Sequence, residues 1–278
     1  MPEKEEGGKD MFRIRALIGT LIVLIAFVCL APAKEDRAFS ITWGGLVRAA
    51  ETDVLDDEFD DEFAREEIVV SDPLEPVNRV FFHFNDKLYF WALKPLARVY
   101  GTFIPEDFRI CIRNAFHNVL FPVRFANNIL QGKFANAGIE FSRFCINTTV
   151  GVAGLGDPAR DVFHLERKDE DFGQTLGFWG IANGLYFCWP ILGPSTLRDT
   201  AGFVGDSYLN PLAIVMEHDP EGGLALSGGE RINSTSLVLG DYESFKESSF
   251  DPYISLRDAY VQHRRSKIAD NGGKDSLY

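Results

Sequence analysis

Between Phe172 and Leu197 the chain carries no charged residue, and this stretch narrows what it can fold into more than any other feature. Its length would satisfy a membrane-spanning helix, which needs about 20 apolar residues. Gly173, Gly177, Gly180, Gly184 and Gly193, with Pro190 and Pro194, interrupt it too often for a straight span. Irregular backbone at membrane depth must be sheltered by protein or by a wet cavity. Two arrangements remain: a re-entrant hairpin, or a buried loop pair within a soluble domain. Pattern alone does not separate them.

Around this segment, from Asp72 onward, the apolar residues recur at helical spacing. Pro105, followed by Glu106 and Asp107, starts a helix that should bury Phe108, Cys111, Ile112, Ala115, Phe116 and Val119, leaving Arg109, Arg113, Asn114 and His117 on its other face. An earlier helix, from about Pro76 to Leu93, sets Val77, Val80, Phe81, Phe84 and Leu88 on one side, with Phe82, Tyr89 and Phe90 widening the apolar surface. Asp251-Pro252 opens a last helix with Tyr253, Leu256 and Tyr260 in line. Arg264, Arg265 and Lys267 there suit the negative end of the helix dipole. The helix from Phe134 to Thr149 is patterned backwards: apolar residues wrap most of it and leave a narrow stripe of Asn136, Glu140, Arg143 and Asn147. Either it is a central helix whose stripe reaches solvent, or it faces lipid and its stripe lines a wet interior.

Lys9, Arg13 and Arg15 precede an apolar run from Ala16 to Leu30 and the small residues Ala31-Pro32-Ala33, so residues 1–33 read as an export signal cleaved after Ala33. Bulky Val28 before Cys29 argues against lipidation of that cysteine. Residues 34–71 read as a disordered linker, because ten acidic residues against Arg65 between Glu51 and Glu67 cannot bury a core. Residues 72–268 form a single domain and 269–278 a flexible tail. The formal charge of −13 and the lack of a basic stripe exclude a nucleic-acid surface. Phe, with 24 residues, exceeds what an ordinary core requires, and some of it should face lipid. Cys111, Cys145 and Cys188 sit among apolar neighbours and read as buried free thiols.

No catalytic constellation or cofactor site emerges. Gly151 to Gly156 has the reverse of dinucleotide-loop spacing and reads as a tight turn. Ser195 reads as the N-cap of a helix containing Arg198 and Asp199. Asp157, Asp161, Asp199 and Asp206, with Arg160 and Arg198 close by, suggest structural ion pairs. The five His pair in no metal-ligand spacing.

Asp72-Pro73-Leu74-Glu75, Asn78-Arg79, Phe84-Asn85, Leu130-Gln131-Gly132, Arg143-Phe144, Asn147-Thr148, Gly151 and Asp157 follow one another in order. Phe172 to Gly177, Gly193-Pro194-Ser195-Thr196, Arg198-Asp199 and Asp251-Pro252-Tyr253 complete the series. Together they resemble the MlaA (VacJ) family of outer-membrane phospholipid-transport lipoproteins. The resemblance implies an all-α, ring-like domain in the periplasmic leaflet of the outer membrane, enclosing an amphipathic channel. It implies removal of misplaced phospholipids from the outer leaflet, delivery to a soluble periplasmic carrier, and company with a trimeric porin, without catalysis. On this reading Asn136, Glu140, Arg143 and Asn147 line the channel, and replacing Asn136 or Asn147 with Leu should spare folding. Phe172, Gly173, Gly177, Trp179, Pro190, Pro194, Arg198 and Asp199 belong to a hairpin bordering it. The alternative is a soluble periplasmic lipid-binding or scaffold protein.

Overall fold

The computed structural model describes residues 70 and 72–269. The expected signal, Cys29 and nearly all of the acidic linker lie outside the described residues, as does the tail beyond residue 269. The chain opens with α1 (Glu75–Leu88), runs through a π-helical turn (Tyr89–Leu93) into α2 (Lys94–Phe103), and continues as α3 (Glu106–Val119), α4 (Phe121–Leu130) and α5 (Phe134–Thr149). Short α6 (Pro158–Asp161) and α7 (Phe172–Phe178) precede a two-stranded hairpin, β1 (Tyr186–Trp189) and β2 (Gly193–Thr196). Helices α8 (Leu197–Ser207), α9 (Pro211–His218), α10 (Pro220–Ser236), α11 (Asp241–Ser248) and α12 (Pro252–Ala269) follow. Local chemistry sets many of these starts. Asp171, Thr196, Asn210 and Asp219 each accept a backbone N–H in the first turn of the helix they precede, and Pro211 and Pro220 occupy first-turn positions.

Neighbour packing closes on itself. Helix α10 packs on α3, α3 on α4, α4 on α7, α7 on α8, α8 on α9, and α9 returns to α10. A second route leaves α10 through α2, the π turn and α1 to the hairpin, which packs on α8. The uncharged segment is therefore neither a span nor all loop: its first part is α7, and its second is an antiparallel hairpin with Tyr186 opposite Thr196 and Cys188 opposite Pro194. Among the described residues no helix is long and apolar enough to cross a membrane.

The apolar core is small and lies to one side. Phe82, Tyr89, Tyr186, Cys188, Tyr242, Phe245, Tyr253, Leu256, Tyr260 and Val261 join α1, the π turn, the hairpin, α11 and α12. Its tyrosines meet edge to face, as Phe82 and Tyr253 do at 5.7 Å and Tyr89 and Tyr242 at 4.9 Å. Each hydroxyl that reaches out of the cluster donates to a carboxylate: Tyr89 to Glu243, Tyr242 to Asp86, Tyr260 to Asp199 and Tyr253 to Asp72.

Elsewhere the usual partition is inverted. Phe108 and Val119, expected inside, are exposed, and the supposed outer face of α3 points in: Arg109 donates to the Ser236 carbonyl at 2.7 Å and His117 meets Asp169 at 3.0 Å. Cys111 is buried as expected and Ile112, Ala115 and Phe116 are half-buried, so the expected face holds only in its middle, because spacing identifies a face without saying which medium it meets. Ser195 lies in β2 with its hydroxyl against Thr200, and Thr196 caps α8 instead, accepting from the Asp199 N–H. Arg264 is no dipole complement, since it is buried against acids far away in sequence. Of the three cysteines, Cys188 is a buried free thiol as expected, Cys145 is a free thiol but exposed, and Cys111 is buried.

Candidate functional site

The interior is polar and densely paired. Glu140 is 0% exposed, Arg143 2% and Asn147 6%, while Phe134 and Phe141 on the other side of α5 are 71% and 51% exposed. Helix α5 thus turns its polar stripe inward and its phenylalanines out. Glu140 accepts from Arg124 Nε at 2.7 Å and from the Lys168 N–H at 2.8 Å. Arg143 forks onto both oxygens of Asp157, at 2.9 and 2.8 Å, and also reaches the Leu165 carbonyl. Asn147 donates to Asp157 at 2.8 Å and accepts from the Ala159 N–H, and Arg167 Nη2 is 3.0 Å from Asp157. The chain from residue 150 to 170 is thereby fastened onto α5. Burial pushes the Asp157 carboxyl up, but Arg167, Arg143 and Asn147 together outweigh it and hold it well below the usual range. Asn136, half-buried, is the stripe member outside this lattice. Asn147, by contrast, is tied into it, so Asn147→Leu would break the fold's internal pairing and not merely change a wall.

Helix α4 repeats the inversion, and the sequence reading passed over it. Arg124, Asn127, Asn128 and Gln131 stand at helical steps and are all buried, while Ile129 and Leu130 of the same helix are exposed. Phe121 stacks on Phe144 of α5 at 4.4 Å. Asn128 donates to the Lys168 carbonyl, and Gln131 to Glu170 and Thr175. A polar residue at every three- or four-residue step on an otherwise apolar helix was the available signal.

A second cluster sits where α7, α8 and α12 meet. Arg264 spans Asp171, at 2.6 and 2.9 Å, and Asp199, at 2.7 Å. Tyr260 donates to Asp199 at 2.7 Å, and Arg198 lies 3.3 Å from the same carboxylate. Burial raises Asp199, yet Arg264, Arg198 and these hydrogen bonds draw it down to about 2. Gly173 and Gly177 make room for this cluster: a Cβ on Gly173 would stand 2.6 Å from Asp199 Oδ1, and one on Gly177 would stand 2.9 Å from Arg198 Nη1. Phe172 donates its backbone N–H to Asp206, which also accepts from Asn127. Asp206 has no ion pair among the described residues, and burial pushes its carboxyl up to about 6. Of the remaining hairpin candidates, Trp179 is exposed and Pro190 and Pro194 are half-buried. Two asparagines of α1 clamp the hairpin's main chain. Asn78 accepts from the Cys188 N–H and donates to the Tyr186 carbonyl, while Asn85 accepts from the Ile191 N–H and donates to the Trp189 carbonyl.

The sequence profile of the MlaA lipoprotein family matches residues 70–267, which is the described domain almost end to end. The chain belongs to this family. The Escherichia coli K12 intermembrane phospholipid transport system lipoprotein MlaA is 33% identical over 207 residues, 73% of this chain and 80% of the relative. Its Haemophilus influenzae counterpart of the same description is 30% identical over 206 residues, 72% of this chain and 80% of that one. A solved structure described as the structural basis for maintenance of bacterial outer membrane lipid asymmetry aligns with a TM-score of 0.62 at 33% identity. It covers 71% of this chain and 99% of the other. The mostly helical architecture is thus that of the family. Among the described residues no cluster of His, Cys, Asp or Glu could hold a metal ion.

Proposed function

We propose that this protein transports phospholipids at the bacterial outer membrane, drawing misplaced molecules from the outer leaflet and passing them on to preserve lipid asymmetry. The observation that carries this reading is the inverted interior: charged residues such as Glu140, Arg143 and Arg264 are sealed inside, while Trp91, Phe103, Phe134 and Tyr208 are 71–78% exposed. A soluble protein leaves few large apolar side chains in water at this density, whereas a lipid environment welcomes them. The domain sits in the periplasmic leaflet and does not span the bilayer, consistent with short helices and a hairpin held by α1. Transport needs no covalent step, and the protein acts without catalysis. The paired polar stripes of α4 and α5 hold the passage wall together from within, and Asn136, the half-buried member outside that lattice, faces the passage. Residues 1–33 are its export signal and residues 34–71 an acidic linker preceding the domain. A trimeric porin and a soluble periplasmic lipid carrier are its partners on either side.

The test is functional replacement. In a bacterium lacking its own family member, expression of this chain should clear phospholipids from the outer leaflet, read by surface-accessible phospholipid labelling. A protein that leaves the surface phospholipid unchanged, or that mild salt releases from membranes as a soluble monomer, would instead be the soluble binding or scaffold protein.

A further inference from the structure

Among the described residues the four buried arginines of the polar interior each have a carboxylate: Arg124 has Glu140, Arg143 has Asp157, and Arg198 and Arg264 have Asp199, while half-buried Arg167 also reaches Asp157 and half-buried Arg109 is held by the carbonyl and hydroxyl of Ser236. Arg231, half-buried on α10, is in no ion pair among the described residues. The carboxylate next to it, Glu230, accepts instead from the Ser234 hydroxyl at 2.6 Å. The contact Arg231 makes is a long one, Nη2 to the Ile191 carbonyl at 3.5 Å, reaching from α10 to the tip of the hairpin. Most of its fork of N–H donors is therefore unspent.

The surroundings of that fork are apolar and open. One turn back along the same face, Gly228 has nothing within 4 Å of where a Cβ would stand, so packing does not require a glycine there. A further turn back, Leu224 is 68% exposed. Across the gap, Ile191 and Leu192 at the hairpin tip are 63% and 59% exposed, and Ile191 holds a left-handed φ of 69°. A cation with free paired donors, flanked on both sides by exposed aliphatic groups and bare helix backbone, suits a ligand that is anionic at one end and aliphatic at the other. A guanidinium fork matches phosphate oxygens two at a time.

We propose that Arg231 is a phosphate-recognising residue of the lipid passage: it takes the phosphate of a phospholipid headgroup at the hairpin tip, in place of the Ile191 carbonyl, with an acyl chain lying along Gly228 and Leu224. This inference rests on the transport reading and specifies where in the passage the headgroup is held. The test uses the full-length protein in detergent solution. Binding is measured with fluorescent phosphatidylglycerol, phosphatidylethanolamine and diacylglycerol of identical chains, and with inorganic phosphate as a separate probe. The wild type, and Arg98→Gln as a control for an exposed cation, should prefer both phospholipids to diacylglycerol about tenfold, the scale of one charge-assisted hydrogen bond. Arg231→Gln should bind all three lipids alike with an unchanged circular dichroism spectrum, and Arg231→Lys should recover part of the preference. The proposal is overturned if Arg231→Gln keeps the wild-type preference, or if it loses diacylglycerol in equal proportion, which marks a structural role. Arg231-dependent binding of inorganic phosphate without any lipid preference would mean a free-anion site and would also overturn it. A wild type that binds none of the lipids overturns the transport reading as well, whereas lipid binding indifferent to Arg231 overturns this inference alone.

Discussion

Replacing Asp157 with Asn puts the polar interior under the most direct strain. The carboxylate is buried and receives Arg143 through two hydrogen bonds, Arg167 through one and Asn147 through another. The substitution keeps the shape but removes the charge, leaving Arg143 buried with only the more distant Glu140 carboxylate, 3.7 Å away and engaged by Arg124. Stranding one partner of a buried pair costs about 3–5 kcal/mol, a large part of the roughly 5–15 kcal/mol by which domains are stable. At about 2–4 °C per kcal/mol for a domain of this size, the melting temperature should fall by roughly 6–20 °C. The sign of the pH dependence follows from the same contacts. The folded-state pKa of Asp157 lies below its ordinary 3.8, so its stabilisation is fully present above that value and is lost as the pH falls below it. The variant should therefore lose much of the acid-limb slope that the wild type shows. Thermal unfolding followed by circular dichroism in detergent, across acidic to neutral pH, measures both effects. The double variant Arg143→Met, Asp157→Leu should recover part of the loss, because it also removes the stranded cation. A drop under about 1 kcal/mol, the size of a surface pair, with an unchanged acid limb would refute the view that this network holds the loop to α5.

Three further outcomes follow. Asp206 has a folded pKa raised from 3.8 to about 6, so it stabilises fully below 3.8 and loses that contribution as the pH rises through about 6. Asp206→Asn should remove this downward slope, as read from denaturation midpoints across that window. Gly173→Ala should destabilise strongly, since its Cβ meets Asp199 and Arg264 at 2.6 and 2.7 Å, whereas Gly138→Ala, with open space at its Cβ on α5, should stabilise by up to about 1 kcal/mol. Melting curves of the two variants should move in opposite directions. Phe141→Asp places a carboxylate on the outer side of α5, so the protein should fold yet release from membranes on salt washing, and retention in the membrane pellet would contradict a lipid-facing α5.

The sequence by itself determined the elements. Helical spacing located α1, α3, α5 and α12, Gly and Pro ruled out a span between Phe172 and Leu197, and the stripe of Asn136, Glu140, Arg143 and Asn147 marked α5 as inverted. These signals are local, carried by residues within a turn or two of one another. Only the tertiary structure decided which face of each helix meets which medium, because an amphipathic period is satisfied equally by a dry core with wet exterior or the reverse. That is why Phe108 and Val119 turned out exposed and Arg109 and His117 inward. It also decided pairings that no spacing encodes: Arg264 reads as a dipole complement until α12 is laid against Asp171, 93 positions away, and Asp199, 65 positions away. Burial of a charge is affordable only beside its counter-charge, and that neighbour is chosen by the fold.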